Sequence, residues 1–383
     1  MRFEFATATR ILFGEGTVSQ LGEIAASMGK SALFATNLPE ARTAPIIAGL
    51  SKWGVHVVPF MISGEPTVTL VENGLELSNR NRCDLVMGIG GGSAIDIGKA
   101  IAVLTTNHGD IYDYLEVVGK SLPVTNQPIP MVAIPTTAGT GAEVTRNAVI
   151  GVPEHRVKVS LRSPLMLPKL AIVDPELGSG LPAEITASTG LDALTQLIEP
   201  FVSVKANPLT DAICREGMRY IARSLSKAYD TDDPLARQEM SLASLLGGLA
   251  LANSGLGTVH GFASVLGGMY SIPHGVICAR LLPYVMKENL RAIEARMPES
   301  PARCRYKEVA QILTGDKEAD TADGIAWVQR LCTQLRVSPL SDYDIPSDEI
   351  KDIIEKTEKA SSTKANPIQL TPVELKGILE SNL

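Results

Sequence analysis

Aromatic side chains are scarce in this sequence of 383 residues: they make up 4%, with two tryptophans. Stacking platforms for single-stranded nucleic acid are therefore hard to assemble, and the cores must be aliphatic. Basic runs are missing as well. The formal net charge is −7 and the pI is near 5.4, which argues against nucleic acid or an anionic membrane as a partner. Cysteine is sparse and unpatterned. Cys83, Cys214, Cys278, Cys304 and Cys332 are odd in number, scattered and without a C-x-x-C. They read as free thiols in a reducing, cytoplasmic compartment. No apolar h-region follows the opening Met-Arg-Phe-Glu-Phe-Ala, so no signal peptide is expected.

The most telling absence lies between Glu239 and Arg280, where there is no Asp, Glu, Lys or Arg. Its length raises the question of a membrane span. Eight glycines, Pro273, Asn253 and several serines interrupt it, however, and no run of about 20 strongly apolar residues is sustained. Buried helices packed through small residues are the better expectation. The stretch also holds His260 and His274, two of only five histidines in the chain.

Hydrophobic residues make up 45% and charged residues 20%, enough for large cores. The length suits two domains at roughly 100–200 residues each. In the first half, short apolar runs alternate with helical patterns. Strands are expected at 31–36, 55–61, 84–89 and 130–134, and helices at 41–53, 67–79 and 93–104. That rhythm predicts a parallel α/β sheet. From about Pro182 strand signals vanish and long helical patterns run to the C-terminus. The predicted division is an α/β domain over residues 1–180 and an all-α domain over 181–383.

Two loops follow strands in the α/β half. Gly90-Gly91-Gly92-Ser93 opens a helix, where glycines let the backbone approach a phosphate and the helix N-terminus favours an anion. Pro135-Thr136-Thr137-Ala138-Gly139-Thr140-Gly141 is rich in hydroxyls that suit a ribose or a phosphate edge. Two such loops at strand carboxyl ends point to a nucleotide crevice. Lys158, flanked by valines, is a candidate cation for phosphates or substrate.

In the helical half, Asp192 enters an apolar pattern and shares a face with Gln196, four residues on. Leu191, Leu194, Leu197 and Ile198 fill the other faces, so the carboxylate is buried. Unpaired, that burial costs several kcal/mol; a dication removes the cost. Asp192, His260 and His274, drawn from three segments, form the ligand set of a catalytic Fe²⁺ or Zn²⁺ site with open positions.

With these motifs in order, the chain resembles the iron-containing (group III) alcohol dehydrogenases over essentially its whole length. The matching pieces are Gly90-Gly-Gly-Ser-Ala-Ile-Asp96 with Lys99, Pro135-Thr-Thr-Ala-Gly-Thr-Gly-Ala-Glu-Val-Thr145, Ile172-Val-Asp-Pro175, Gly190-Leu-Asp-Ala-Leu194, Val259-His-Gly261 and Pro273-His-Gly-Val276. The resemblance implies a dehydroquinate synthase-like fold, with a dinucleotide-binding α/β domain followed by a helical domain and the nicotinamide cofactor in the cleft between them. It places the pyrophosphate on Gly91, Gly92 and Ser93, with Asp96 in the same motif. Thr136, Thr137 and Thr140 would hold the adenosine side, and Asn147, Lys158 and Leu181 lie further along the cofactor. The metal would sit on Asp192, His260 and His274, with the Gln196 carbonyl oxygen as a further candidate ligand. Asn37 follows the first strand of the nucleotide half, where NAD-preferring relatives often carry Asp; Asn does not repel a 2′-phosphate, so NAD and NADP are both allowed.

The sequence departs from the family pattern twice. Gln196 replaces a ligating His, leaving only a carbonyl oxygen there, and Ser264 replaces a second His. Glycerol dehydrogenases, with one Asp and two His around zinc, resemble what remains. The expected activity is metal-dependent, NAD(P)-dependent interconversion of a small primary alcohol and its aldehyde by a cytoplasmic homodimer or larger homo-oligomer. Alternatives are a metal-independent oxo-acid reductase of the maleylacetate reductase type, a dehydroquinate-synthase-like lyase, and a binding protein without activity.

Overall fold

The structure, a computed structural model, describes residues 2–383 and divides into two compact units. One comprises Thr7–Thr137 and Gly141–Ser179; the other comprises Gly180–Leu383 with Ala138–Thr140 and a short N-terminal piece ending at Ala6.

The first unit is built on strands β1 (Ile11–Phe13), β2 (Ser31–Thr36), β3 (His56–Met61), β4 (Leu85–Gly90), β5 (Met131–Pro135) and β8 (Leu170–Val173), with β6 (Asn147–Val152) and β7 (Val157–Arg162) forming a separate antiparallel hairpin. The six-stranded sheet has the order β1-β8-β5-β4-β2-β3, and every pairing in it is parallel. Strands β4 and β5 are buried at every position, as expected for a parallel sheet covered on both faces. Alternate residues feed opposite cores. Leu33 and Ala35 join one with Val86 and Ala133, while Ala32 and Phe34 join the other with Leu85, Met87 and Val132. Helices α1 (Leu21–Ala26) and α2 (Glu40–Lys52) supply the second core; α3 (Val68–Arg80) and α4 (Gly92–Leu104) supply the first. Pro59 sits in β3, an edge strand, where its missing N–H costs no internal ladder bond. Strands β1, β6, β7 and β8 were not anticipated from sequence. The first is three residues long, and the hairpin buries only alternate residues such as Ala148, Ile150 and Leu161.

Chain order reverses beside β2: β3 lies on one side of it, and β4, β5 and β8 follow on the other. The carboxyl ends of β2 and β4 therefore flank a topological switch point, where open α/β sheets bind ligands.

The second unit is helical, with α5 (Ala183–Val202), α6 (Pro208–Thr231), α7 (Pro234–Ser254), α8 (Thr258–Met269), α9 (His274–Arg296), α10 (Ala302–Thr314), α11 (Thr321–Gln334), α12 (Ile350–Lys359) and α13 (Pro372–Glu380) sharing one aliphatic core. Helix α5 is its spine, buried without a break from Gly190 to Val202. Close approach to α6 depends on small residues: a Cβ at Gly190 would lie 2.3 Å from Leu225, and one at Gly217 would lie 2.5 Å from Leu197. Among the described residues no single helix is long and apolar enough to cross a membrane. Helices α7 and α8 reach that length only as a pair bent by 101°.

Candidate active site

In the α/β unit, the switch point is built from three strand ends. The Thr36 hydroxyl donates to the Ile89 carbonyl at 2.7 Å, and the Thr136 amide donates to the Gly90 carbonyl at 2.9 Å. Gly90 has φ +150°, and a Cβ there would sit 2.1 Å from Asn37 Oδ1. The Asn37 side chain thus lies directly over the glycine loop, across the switch point. Gly91 caps α4, whose first turn runs through Gly92 and Ser93 and points its free N–H groups out of the sheet edge. Thr137 packs 3.7 Å from where a Gly91 Cβ would be. Asn37, Gly91, Gly92, Ser93, Thr136 and Thr137 therefore gather around one helix N-terminus, which can hold a pyrophosphate.

The other expected cofactor residues are placed differently. Asp96 is engaged by protein: its carboxylate pairs with Lys99 Nζ at 2.9 Å and accepts the Val149 amide at 3.0 Å. Lys99 is fully buried and also donates to the Ala142 and Asn147 carbonyls and the Thr145 hydroxyl. Lys158, largely buried on β7, pairs with Glu65 at 3.3 Å. Thr140 and Leu181 belong to the helical unit, where Gly139 beside Thr140 packs against Thr189 of α5.

In the helical unit, α5, α8 and α9 bring Asp192, His260 and His274 together. Asp192 Oδ1 lies 3.3 Å from His260 Nε2 and 3.6 Å from His274 Nε2, yet makes no hydrogen bond. Asp192 and His260 are buried, while the His274 side chain is 35% exposed. The cluster therefore opens past His274. Gly275 sets that position, because a Cβ there would lie 2.2 Å from the Ser188 carbonyl oxygen of α5.

Two participants were not foreseen. Glu199, seven residues beyond Asp192, approaches His260 Nδ1 at 2.7 Å and accepts the Val259 amide at 2.7 Å. Its carboxylate there favours a proton on Nδ1, so when the ring is neutral Nε2 is the nitrogen left to ligate. Its place on the 192–196–199 face of α5 was the available signal. Cys278, one turn after His274 on α9, puts Sγ 3.7 Å from His274 Nε2 and 3.9 Å from His260 Nε2; that spacing of four was its signal.

One donor atom each from Asp192, His260, His274 and Cys278 lies within 4.8 Å of all the others. Burial alone would raise the Asp192 carboxyl, but the imidazoles of His274 and His260 outweigh it and hold the acid well below the usual carboxylate range. Burial alone would lower both imidazoles. Cys278 and Glu199 reverse this at His260, which rises well above its ordinary value, and Cys278 and Asp192 raise His274 to about 10. The site concentrates negative charge and attracts cations. Its nitrogen, oxygen and sulfur donors, with an orphaned buried carboxylate oxygen among them, fit a divalent transition metal. Gln196 Oε1, one turn after Asp192, is also buried without a partner.

The chain matches the family description "Iron-containing alcohol dehydrogenase" over residues 8–175 and "Fe-containing alcohol dehydrogenase family, C-terminal" over residues 186–383. It is 36% identical over 381 residues to a 1,3-propanediol dehydrogenase of Klebsiella pneumoniae, covering 95% of each chain. It superposes on a crystal structure of 1,3-propanediol oxidoreductase with TM-score 0.92 and 32% identity, covering 100% of both chains. A sulfoacetaldehyde reductase from Bifidobacterium kashiwanohense, solved in complex with NAD⁺, gives TM-score 0.86 at 28% identity, covering 100% of this chain and 99% of that one.

Proposed function

Starting from a chain that belongs to the iron-containing alcohol dehydrogenase family, and so is an oxidoreductase acting on CH–OH groups of alcohols and on the matching aldehydes, we propose that it works with one divalent metal and a nicotinamide dinucleotide. Asp192, His260 and His274 hold the metal, and Gln196 offers a neutral oxygen nearby. The observation that carries this reading is the buried Asp192 Oδ1, set between two imidazole Nε2 atoms with no hydrogen bond of its own.

A divalent ion bound there supplies Lewis acidity, which lowers the pKa of an alcohol hydroxyl and polarises an aldehyde carbonyl. A bound nicotinamide would supply the hydride chemistry, and the protein's part is position and field. Asp192 compensates positive charge that the apolar helical core would otherwise destabilise. Glu199 keeps the His260 ring in the tautomer that can ligate. The half-exposed side at His274 admits a small alcohol or aldehyde. Ser264 is no relay for its proton, since its hydroxyl donates to the Gly261 carbonyl at 2.8 Å; solvent on the open side at His274 would take it.

Gly91, Gly92 and Ser93 receive the pyrophosphate, with Asn37, Thr136 and Thr137 around it. Asp96, Asn147 and Lys158 of the same unit belong to the proposed set as indirect supports, since the charged ends of Asp96 and Lys158 are taken by Lys99 and Glu65. The Asn37 amide does not repel a 2′-phosphate, so NADP is accepted beside NAD. A cytoplasmic homo-oligomer belongs to the same reading, supported by the family resemblance and by five free cysteines. No Lys or Arg occurs on α5 or α8, which disfavours a lyase handling a phosphorylated polyanion.

The test combines chelation with Asp192→Ala. Each is expected to lower kcat/KM for aldehydes by about a hundredfold or more, with Fe²⁺ or Zn²⁺ restoring only the chelated wild type. Unchanged turnover of oxo-acids after both treatments would favour the metal-independent reductase instead.

A further inference from the structure

We infer that Cys278 is itself a metal ligand, taking the place left by the histidine that this chain lacks at position 196. The inference rests on the metal-dependent reading above and assigns a donor which that reading leaves out. Cys278 is fully buried and shares the α9 face that carries His274. Its Sγ is near the same Nε2 atoms that face Asp192 Oδ1. In a tetrahedral zinc-type site with bonds of about 2.0–2.1 Å to nitrogen or oxygen and about 2.3 Å to sulfur, neighbouring donors stand roughly 3.3–3.4 Å and roughly 3.6 Å apart respectively. The structure has 3.3 and 3.6 Å for oxygen to nitrogen, and 3.7 and 3.9 Å for sulfur to nitrogen. The buried Asp192 oxygen, with no hydrogen-bond partner, points independently to a cation at the centre of this set.

Charge agrees with geometry. A carboxylate and a thiolate neutralise a dication in a buried position, whereas one carboxylate with three imidazoles leaves a net positive charge. On metal binding the Cys278 S–H proton leaves to solvent as the sulfur–metal bond forms, with no change of oxidation state. The other buried cysteines, Cys83, Cys214 and Cys332, are not in the group.

X-ray absorption on the full-length zinc-loaded protein tests this directly. The expected result is one sulfur neighbour at about 2.3 Å beside nitrogen or oxygen neighbours at about 2.0–2.1 Å, lost in Cys278→Ser, with zinc affinity falling about 10–100-fold. If zinc binds one per chain with nitrogen and oxygen neighbours only, Cys278 is not a ligand and the metal-dependent reading survives. If wild type and Asp192→Ala alike retain no zinc, both fall. The wild-type spectrum decides even where Cys278→Ser does not fold.

Discussion

Glu199 places one carboxylate oxygen against the His260 ring and the other against the Val259 amide at the start of α8. It therefore orients an imidazole and satisfies a helix N-terminal donor together. Glu199→Gln preserves the shape but removes the charge that keeps the far ring nitrogen basic. Metal affinity is expected to fall about 10–100-fold, measured by competition with a chromogenic chelator; an unchanged constant would show that the carboxylate serves only the helix end. Asp192, His260 and His274 were legible in the sequence because charge is excluded around them, so each polar group stood out. Glu199 was not singled out: its spacing from Asp192 put it on the same face of α5, but its partner ring lies 61 residues away. Cys278 read as one more scattered thiol until α9 placed it a turn from His274.

At the scale of the element, the cluster depends on how closely α9 docks on α5. Gly275 permits that approach, and a methyl group there would meet backbone rather than a movable side chain. Gly275→Ala is expected to cost about 1–3 kcal/mol in stability through overpacking. It should also weaken metal binding while leaving intact the NADH binding proposed for the glycine loop. Denaturant melts, chelator competition and NADH fluorescence titration check the three parts, and a loss of NADH affinity as large as the loss of metal affinity would contradict the local account. Most elements that are buried all round were readable, the four-residue β8 being too short to stand out. Strands β2, β4 and β5 appear in the sequence as unbroken apolar runs, and α5 as an apolar helix with one polar stripe. The β6–β7 hairpin escaped because half of each strand is polar or glycine, and such alternation is diluted by Gly151, Lys158 and Ser160. Helix α4 begins at Gly92 rather than Ser93, since glycine at a helix start gives no propensity signal.

For the whole molecule, stability should depend on pH through Glu143. Its side chain is buried, one carboxylate oxygen has no partner, and burial pushes the acid up to about 7 despite its own backbone and the nearby Lys99. Between the ordinary value of 4.5 and about 7 the folded chain keeps this proton and the unfolded chain has lost it. The contribution to stability therefore declines as pH rises through that window, by up to about 3 kcal/mol, and is flat above it. Glu143→Gln should flatten the fall of Tm between pH 5 and pH 8; an identical slope in both proteins would refute this. The six-stranded sheet also sets a timetable. Ile11 of β1 pairs with Ala171 of β8, so one edge of the sheet waits for a partner made roughly 160 residues later. At about 5–20 residues per second on the ribosome, the first strand to be translated spends on the order of ten to thirty seconds without its neighbour and is among the last to be laid into the sheet.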